Sequence, residues 1–150
     1  MTEAYFEPTQ AAGAAFFSRN IAGEIIMLNL LRFREVADYS ATPELAPDEP
    51  ISGRAAYQKY IDHTLPFLEK TGGSIALLGD SGYFLIGPPE ERWDLVMLIR
   101  QNSLKDFLAF ASDQGYLAGM GHRTAALEDS RLLPVLEFKQ NDITNPTLSS

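Results

Sequence analysis

The sequence contains no cysteine, which excludes disulfide staples, thiolate nucleophiles and Cys-based metal sites. A cysteine-free chain suits a reducing compartment, and we expect a cytoplasmic protein. It has two histidines, His63 and His122, far apart in sequence and not in an HxxxH spacing, so a histidine metal site has no support. Basic residues are few: 12 Lys and Arg stand against 20 Asp and Glu, for a net charge of −8. The clustered positive charge that holds nucleic acid or an anionic membrane is therefore missing, and neither partner is expected. No apolar run approaches the roughly 18 residues of a membrane span. The opening residues, MTEAYFEPTQ, lack the basic-then-apolar pattern of a secretion signal. There is no P-loop and no GxGxxG motif after a strand, so no cofactor is expected. Gly79–Gly82 reads GDSG, but it falls in an expected hairpin turn without a nucleophile-and-base context, and we do not read it as a protease site.

What remains is an ordinary globular composition, 45% hydrophobic over 150 residues. Such a chain forms one domain and buries roughly 70% of its extended surface. The stretch Gly23–Arg34, GEIIMLNLLRFR, predicts a strand with two apolar faces. Ile25, Met27, Asn29, Leu31 and Phe33 share one face, and Ile26, Leu28, Leu30 and Arg32 share the other. Arg92–Arg100, RWDLVMLIR, repeats the pattern. A strand that is apolar on both faces must be covered on both.

The other elements follow from caps and breakers. Residues 1–7 are expected to be a loose lead-in to a helix over Thr9–Asn20, opened by Pro8. Residues 35–51 carry three prolines and five acids with no base. They predict a long break, either a solvated acidic excursion or a lid. Ser52 caps a helix over Gly53–Thr71 that Gly72-Gly73 ends. Ser74–Gly79 is a strand, and Tyr83–Gly87 is expected to be a strand or an extension. Ser103 and Asp106 form a capping box at the start of another helix. A Gly-weakened helical stretch follows over Gln114–Leu127, then a last strand over Ser130–Phe138. Pro134 places that strand at a sheet edge. Residues 139–150 are expected to be a disordered tail.

Setting aside the first helix, the order is βαββαβ. That order predicts an α+β, ferredoxin-like antiparallel sheet with helices on one face and an extra N-terminal helix. Right-handed crossovers put the first and third core strands in the centre. The core spans about residues 23–138, with 1–22 as a helical extension, in a single domain. The bare face of such a sheet is apolar here, so a second copy packing face to face is expected: a homodimer.

Five segments, MLNLLRFRE, SGRAAYQKY, the TGG after the helix, RWDLVMLIR and YLAGMGHRTAALEDSRLLP, resemble the DUF1330 family. The resemblance covers roughly residues 23–138. It implies a dimeric α/β barrel built from two ferredoxin-like protomers, and it implies no reaction, because the family has no generally established activity. The N-terminal helix and the long acidic loop are departures from its shorter members.

Candidate site residues are polar groups set among apolar ones. Arg123 shares a helical stripe with Tyr116, Met120 and Leu127. A bare buried charge is costly, so Arg123 either pairs with Glu128, Asp129 or Asp94, or binds an anion through its planar fork. His122 stands just off that stripe and is a candidate catalytic base near neutral pH; a purely structural place fits it as well. His63 is expected at the surface. Asn29 lies on an apolar strand face and needs partners, from a ligand or from across the sheet. Arg32 and Arg100 end the two central strands with the same parity, as if flanking one opening, unless both are solvated rim charges. Tyr57 and Tyr60 are core residues whose hydroxyls reach the rim. Two functions follow: a small cofactor-independent enzyme acting on an oxygenated or carboxylated organic molecule, or a non-catalytic dimer that binds a small ligand or serves as an accessory subunit.

Overall fold

The computed structural model describes residues 3–139. The expected tail over 139–150 lies outside these, apart from Lys139. The elements are α1 (Gln10–Ser18), β1 (Ile25–Phe33), α2 (Gly53–Lys70), β2 (Ser74–Asp80), β3 (Leu95–Gln101), α3 (Leu104–Ala111), α4 (Gln114–Leu117), α5 (Met120–Ala126) and β4 (Leu127–Val135), with one 3-10 turn at Pro43–Leu45. The sheet order is β2-β3-β1-β4 and every neighbouring pair is antiparallel. This is the ferredoxin-like arrangement. The strands with two apolar faces are central, and Pro134 lies on the edge strand β4. Among the described residues no helix is long and apolar enough to cross a membrane.

Caps set the helix starts. Ser52 Oγ accepts from the Ala55 N–H at 3.0 Å, and Ser103 Oγ accepts from the Asp106 N–H at 3.0 Å. The Asp106 carboxylate in turn accepts from the Ser103 hydroxyl at 2.9 Å. Gly72 ends α2 in the left-handed region, at φ +85. The N–H of Gly73 then reaches the Leu68 carbonyl, and that of Gly72 the Glu69 carbonyl, which satisfies the last turn.

The core lies between one sheet face and the helices. Leu31, Phe33, Leu95 and Met97 pack with Ala56, Tyr57, Tyr60 and Ile61 of α2 and with Ala125 of α5. Leu31 and Leu127 are fully buried, and burying one such side chain contributes about 1.5–3 kcal/mol. On the opposite face Leu28 pairs with Leu98 and Leu30 with Val96 across the central strands. Toward the edges of that face, Leu77 is 47% exposed and Leu133 59%.

Several expectations are corrected. Tyr83–Gly87 is not a strand: only an isolated bridge, Tyr83 to Arg92, forms there. Gly82, Gly87, Pro88 and Pro89 leave too little regular backbone for a ladder, and Leu85 and Ile86 stand 99% and 91% exposed. The helical stretch over 114–127 breaks into α4 and α5. Its glycines are points of close approach. A Cβ at Gly115 would overlap the Phe67 ring, one at Gly119 the His63 ring, and one at Gly121 the Thr42 side chain. β4 begins three residues earlier than predicted, because α5 runs directly into it: Leu127 both caps the helix and opens the strand.

Candidate functional site

Helix α5 places Arg123 over the start of β4, half-buried. Its Nη1 donates to the Phe6 carbonyl at 2.7 Å, and its Nη2 lies 3.5 Å from Ser130 Oγ. The expected carboxylate partners are all engaged elsewhere. Asp129 holds Arg131 at 2.6 Å and Arg32 at 3.5 Å. Asp94 holds Arg92 at 2.9 Å, without hydrogen-bond alignment of the N–H, and Glu128 meets Arg92 at 4.0 Å. Among the described residues Arg123 has no ion pair.

Beside Arg123 lies a group of buried tyrosines. Tyr57 is 3% exposed. Burial pushes its hydroxyl well above the usual phenol range and Tyr60 adds to this, while the Arg123 guanidinium opposes it. The Tyr60 and Tyr116 hydroxyls meet at 2.7 Å, and burial likewise raises Tyr116. Tyr57 and Tyr116 are therefore protonated near neutrality, hydrogen-bond donors rather than bases. Rings join them: Tyr57 to Tyr60 at 5.1 Å, Tyr60 to Tyr116 at 6.2 Å, Tyr116 to Phe110 at 4.4 Å.

His122, the neighbour of Arg123, turns a different way. Its Nδ1 lies 2.7 Å from the Tyr39 hydroxyl. Burial lowers its pKa from 6.5, and the charges of Lys59 and His63 add to the effect. The imidazole is thus neutral and base-capable near pH 7. Tyr39 belongs to the acidic loop, and the loop is a cover on α5 rather than a free excursion. Tyr39 is 9% exposed, and the Asp38 N–H donates to the Ala125 carbonyl at 2.9 Å. His63 is not a surface group: it is half-buried, with Nε2 2.7 Å from the Gly115 carbonyl and its ring against Gly119.

The remaining predicted residues do not join this group. Asn29 faces the helices, half-buried, and its amide donates to the Met27 carbonyl of its own strand at 3.1 Å. Arg32 and Arg100 do not flank one opening. β1 and β3 run antiparallel, so Arg100 pairs with Ile26 at the far end from Arg32. Six residues of strand separate those ends, about 20 Å. Arg100 is held at the surface by Glu24 and Glu137 at 3.3 and 3.1 Å. Arg32 lies on the open face, 4.6 Å over the Trp93 ring, and donates to the Arg92 carbonyl at 2.8 Å.

The sequence reading missed the N-terminal segment. Far from being a loose lead-in, residues 5 and 6 strap across β4. The Tyr5 N–H donates to Asp129 Oδ1 at 2.8 Å, and Ser130 Oγ donates to the Tyr5 carbonyl at 2.5 Å. Arg131 lies 4.8 Å over the Tyr5 ring. Most of these bonds use main-chain atoms of the strap, which leave no mark in side-chain pattern. The one available signal was the polar run Glu128-Asp129-Ser130-Arg131 at a strand start. Burial alone would raise Asp129; the Tyr5 N–H, the Arg131 guanidinium and the Ser130 N–H outweigh it and hold the carboxyl below its usual range.

Two surface depressions lie elsewhere. One, of about 430 Å³, sits on the open sheet face between Leu30, Val96, Trp93 and Phe84. The other, of about 520 Å³, sits among Arg34, Arg54, Arg92, Asp94 and Glu128. Neither includes Arg123 or His122. Among the described residues no group of three or more His, Cys, Asp or Glu is placed to hold a metal. The chemistry on offer at Arg123 is a planar cation, buried hydroxyl donors and, among the described residues, no competing carboxylate.

No model of a known protein family matches the chain, and no curated protein matches it. Among solved structures it is similar to the RPA0582 protein, of unknown function, from Rhodopseudomonas palustris: 34% identity, TM-score 0.79, covering 91% of this chain and 99% of that one. The methylated RPA0582 protein aligns at 33% identity and TM-score 0.80, covering 91% and 97%. A dimeric protein of unknown function with a ferredoxin-like fold, from Bacteroides fragilis, aligns at 13% identity and TM-score 0.45, over 75% of this chain and 94% of that one. With a third of its residues identical across nearly the whole of both chains, this protein belongs to the family of the RPA0582 protein.

Proposed function

We propose that this protein belongs to the DUF1330 group and works as a homodimer that binds a small carboxylated organic molecule at Arg123. One observation carries the binding role: a half-buried guanidinium beside buried tyrosine hydroxyls has no carboxylate partner among the described residues and rests on a neutral carbonyl. A carboxylate would meet the planar fork in two parallel hydrogen bonds, roughly twice as strong as the neutral contact it replaces. The dimer reading rests on the open sheet face, where Leu28, Leu30, Val96 and Leu98 form a continuous apolar strip. A two-fold axis would cover that strip with itself.

A second reading is favoured by the Tyr39–His122 contact. A neutral imidazole held by a hydroxyl is a fit base for a cofactor-independent enzyme. Binding stands first, because Arg123 and His122 point to different neighbours.

The test is a melting-shift panel with acetate, succinate and benzoate on the wild type and on Arg123→Ala. We expect at least one acid to raise Tm in the wild type, with the shift lost in the variant. No shift in the wild type, or an equal shift in both, would remove the role given to Arg123.

A further inference from the structure

Two successive carbonyls of the N-terminal strap take up the donors around Arg123. Ser130 Oγ donates to the Tyr5 carbonyl at 2.5 Å, and Arg123 Nη1 donates to the Phe6 carbonyl at 2.7 Å. The donors are neighbours themselves, 3.5 Å apart from Ser130 Oγ to Arg123 Nη2. Ser130 is only 5% exposed, so it would be costly to leave it without an acceptor.

The strap, by contrast, is held almost entirely through main chain: besides these two carbonyls, the Tyr5 N–H donates to Asp129 Oδ1 at 2.8 Å. The Tyr5 and Phe6 side chains are 47% and 40% exposed. The Phe6 hydrogen bond to Arg123 is through main chain, and the Tyr5 side chain meets the Arg131 guanidinium at 4.8 Å and, through its hydroxyl, the Glu3 carboxylate at 3.3 Å. An ordered segment that spends two backbone acceptors on one serine and one arginine, while its own side chains stay nearly half exposed, has the form of a stand-in.

We infer that residues 5 and 6 occupy the carboxylate subsite, and that Ser130 shares the ligand's two oxygens with Arg123 once the strap lifts. This rests on the reading of Arg123 as a carboxylate anchor and adds a second binding residue and a gate. The exchange is favourable in kind: a neutral carbonyl leaves a guanidinium and an anionic oxygen arrives. The ligand class narrows to acids whose carboxylate spans both donors. Binding is weakened by the fraction of time the strap is closed.

The cysteine-free chain makes the test direct, because a single introduced thiol is the only one. Full-length Ala4→Cys carrying a nitroxide reports the strap, and succinate is the probe. Label mobility should rise with succinate, with the same midpoint as the melting shift. Tyr5→Pro removes both the N–H given to Asp129 and the ring over Arg131, and should bind succinate about tenfold tighter if the strap is open a tenth of the time. Succinate binding that depends on Arg123, with an unmoved label and unchanged affinity in Tyr5→Pro, would overturn the gate and leave the anchor standing. No binding of succinate, acetate or benzoate by either protein would overturn both.

Discussion

The Tyr39 hydroxyl lies 2.7 Å from Nδ1 of His122, and this contact fastens the acidic loop to α5. With the imidazole neutral, either atom can donate, according to which ring nitrogen carries the proton. Burial keeps the imidazole neutral by lowering its pKa from 6.5. The folded state thus binds its proton later than the unfolded state does. The resulting stability is fully present above the unfolded value and is lost as pH falls through the lower folded value. Tm should fall as pH drops below 6.5, and His122→Ala should flatten that limb. An NMR titration of His122 should place its midpoint below 6.5. Tyr39→Phe should cost about 1 kcal/mol by denaturant unfolding at pH 7.

The Tyr60 and Tyr116 hydroxyls, 2.7 Å apart in the core, give a double-mutant cycle. Either single change to Phe strands one buried hydroxyl and should cost about 1–3 kcal/mol. The double change removes both groups and should cost less than the sum of the singles. Chemical denaturation of the four proteins measures the difference; strict additivity would mean that the two hydroxyls do not interact.

Asp129, with a side chain only 4% exposed, accepts from the Tyr5 N–H and meets Arg32 and Arg131. Asp129→Asn keeps the shape and removes the charge. We expect a loss of about 2–3 kcal/mol at pH 7. Because the folded carboxyl titrates below 3.8, its contribution is present above that value and disappears as pH falls through the folded pKa. The wild type and variant stabilities should therefore converge in acid, and unfolding curves at pH 7 and pH 3 would show it.

Leu98 sits mid-strip on the open sheet face, paired with Leu28. Sedimentation of the wild type at micromolar concentration should give a dimer, and Leu98→Glu should give a folded monomer. A monomeric wild type would end the dimer proposal.

The sequence was most informative where burial demands a pattern. Ile25–Phe33 and Leu95–Gln101 had to be central because both their faces are apolar, and Pro134 had to lie at an edge. It was least informative where contacts use main chain or depend on strand direction. Tyr5 and Phe6 bind through carbonyls and an N–H that any residue carries. Arg32 and Arg100 have the same parity, but antiparallel pairing sends them to opposite ends. Tyr83–Gly87 has the composition of a strand, yet flanking glycines and prolines deny it a ladder. At Arg123 the polar residue on an apolar stripe was legible. That its acidic neighbours would turn to Arg32, Arg92 and Arg131 instead was not.

The claim that Arg123 anchors a ligand carboxylate is tested most directly by a crystal structure of the full chain soaked with the acid giving the largest melting shift. The account predicts a carboxylate oxygen about 2.7–2.9 Å from the Arg123 guanidinium, with the Phe6 carbonyl moved away. The acid bound elsewhere, with Arg123 still donating to Phe6, would contradict it.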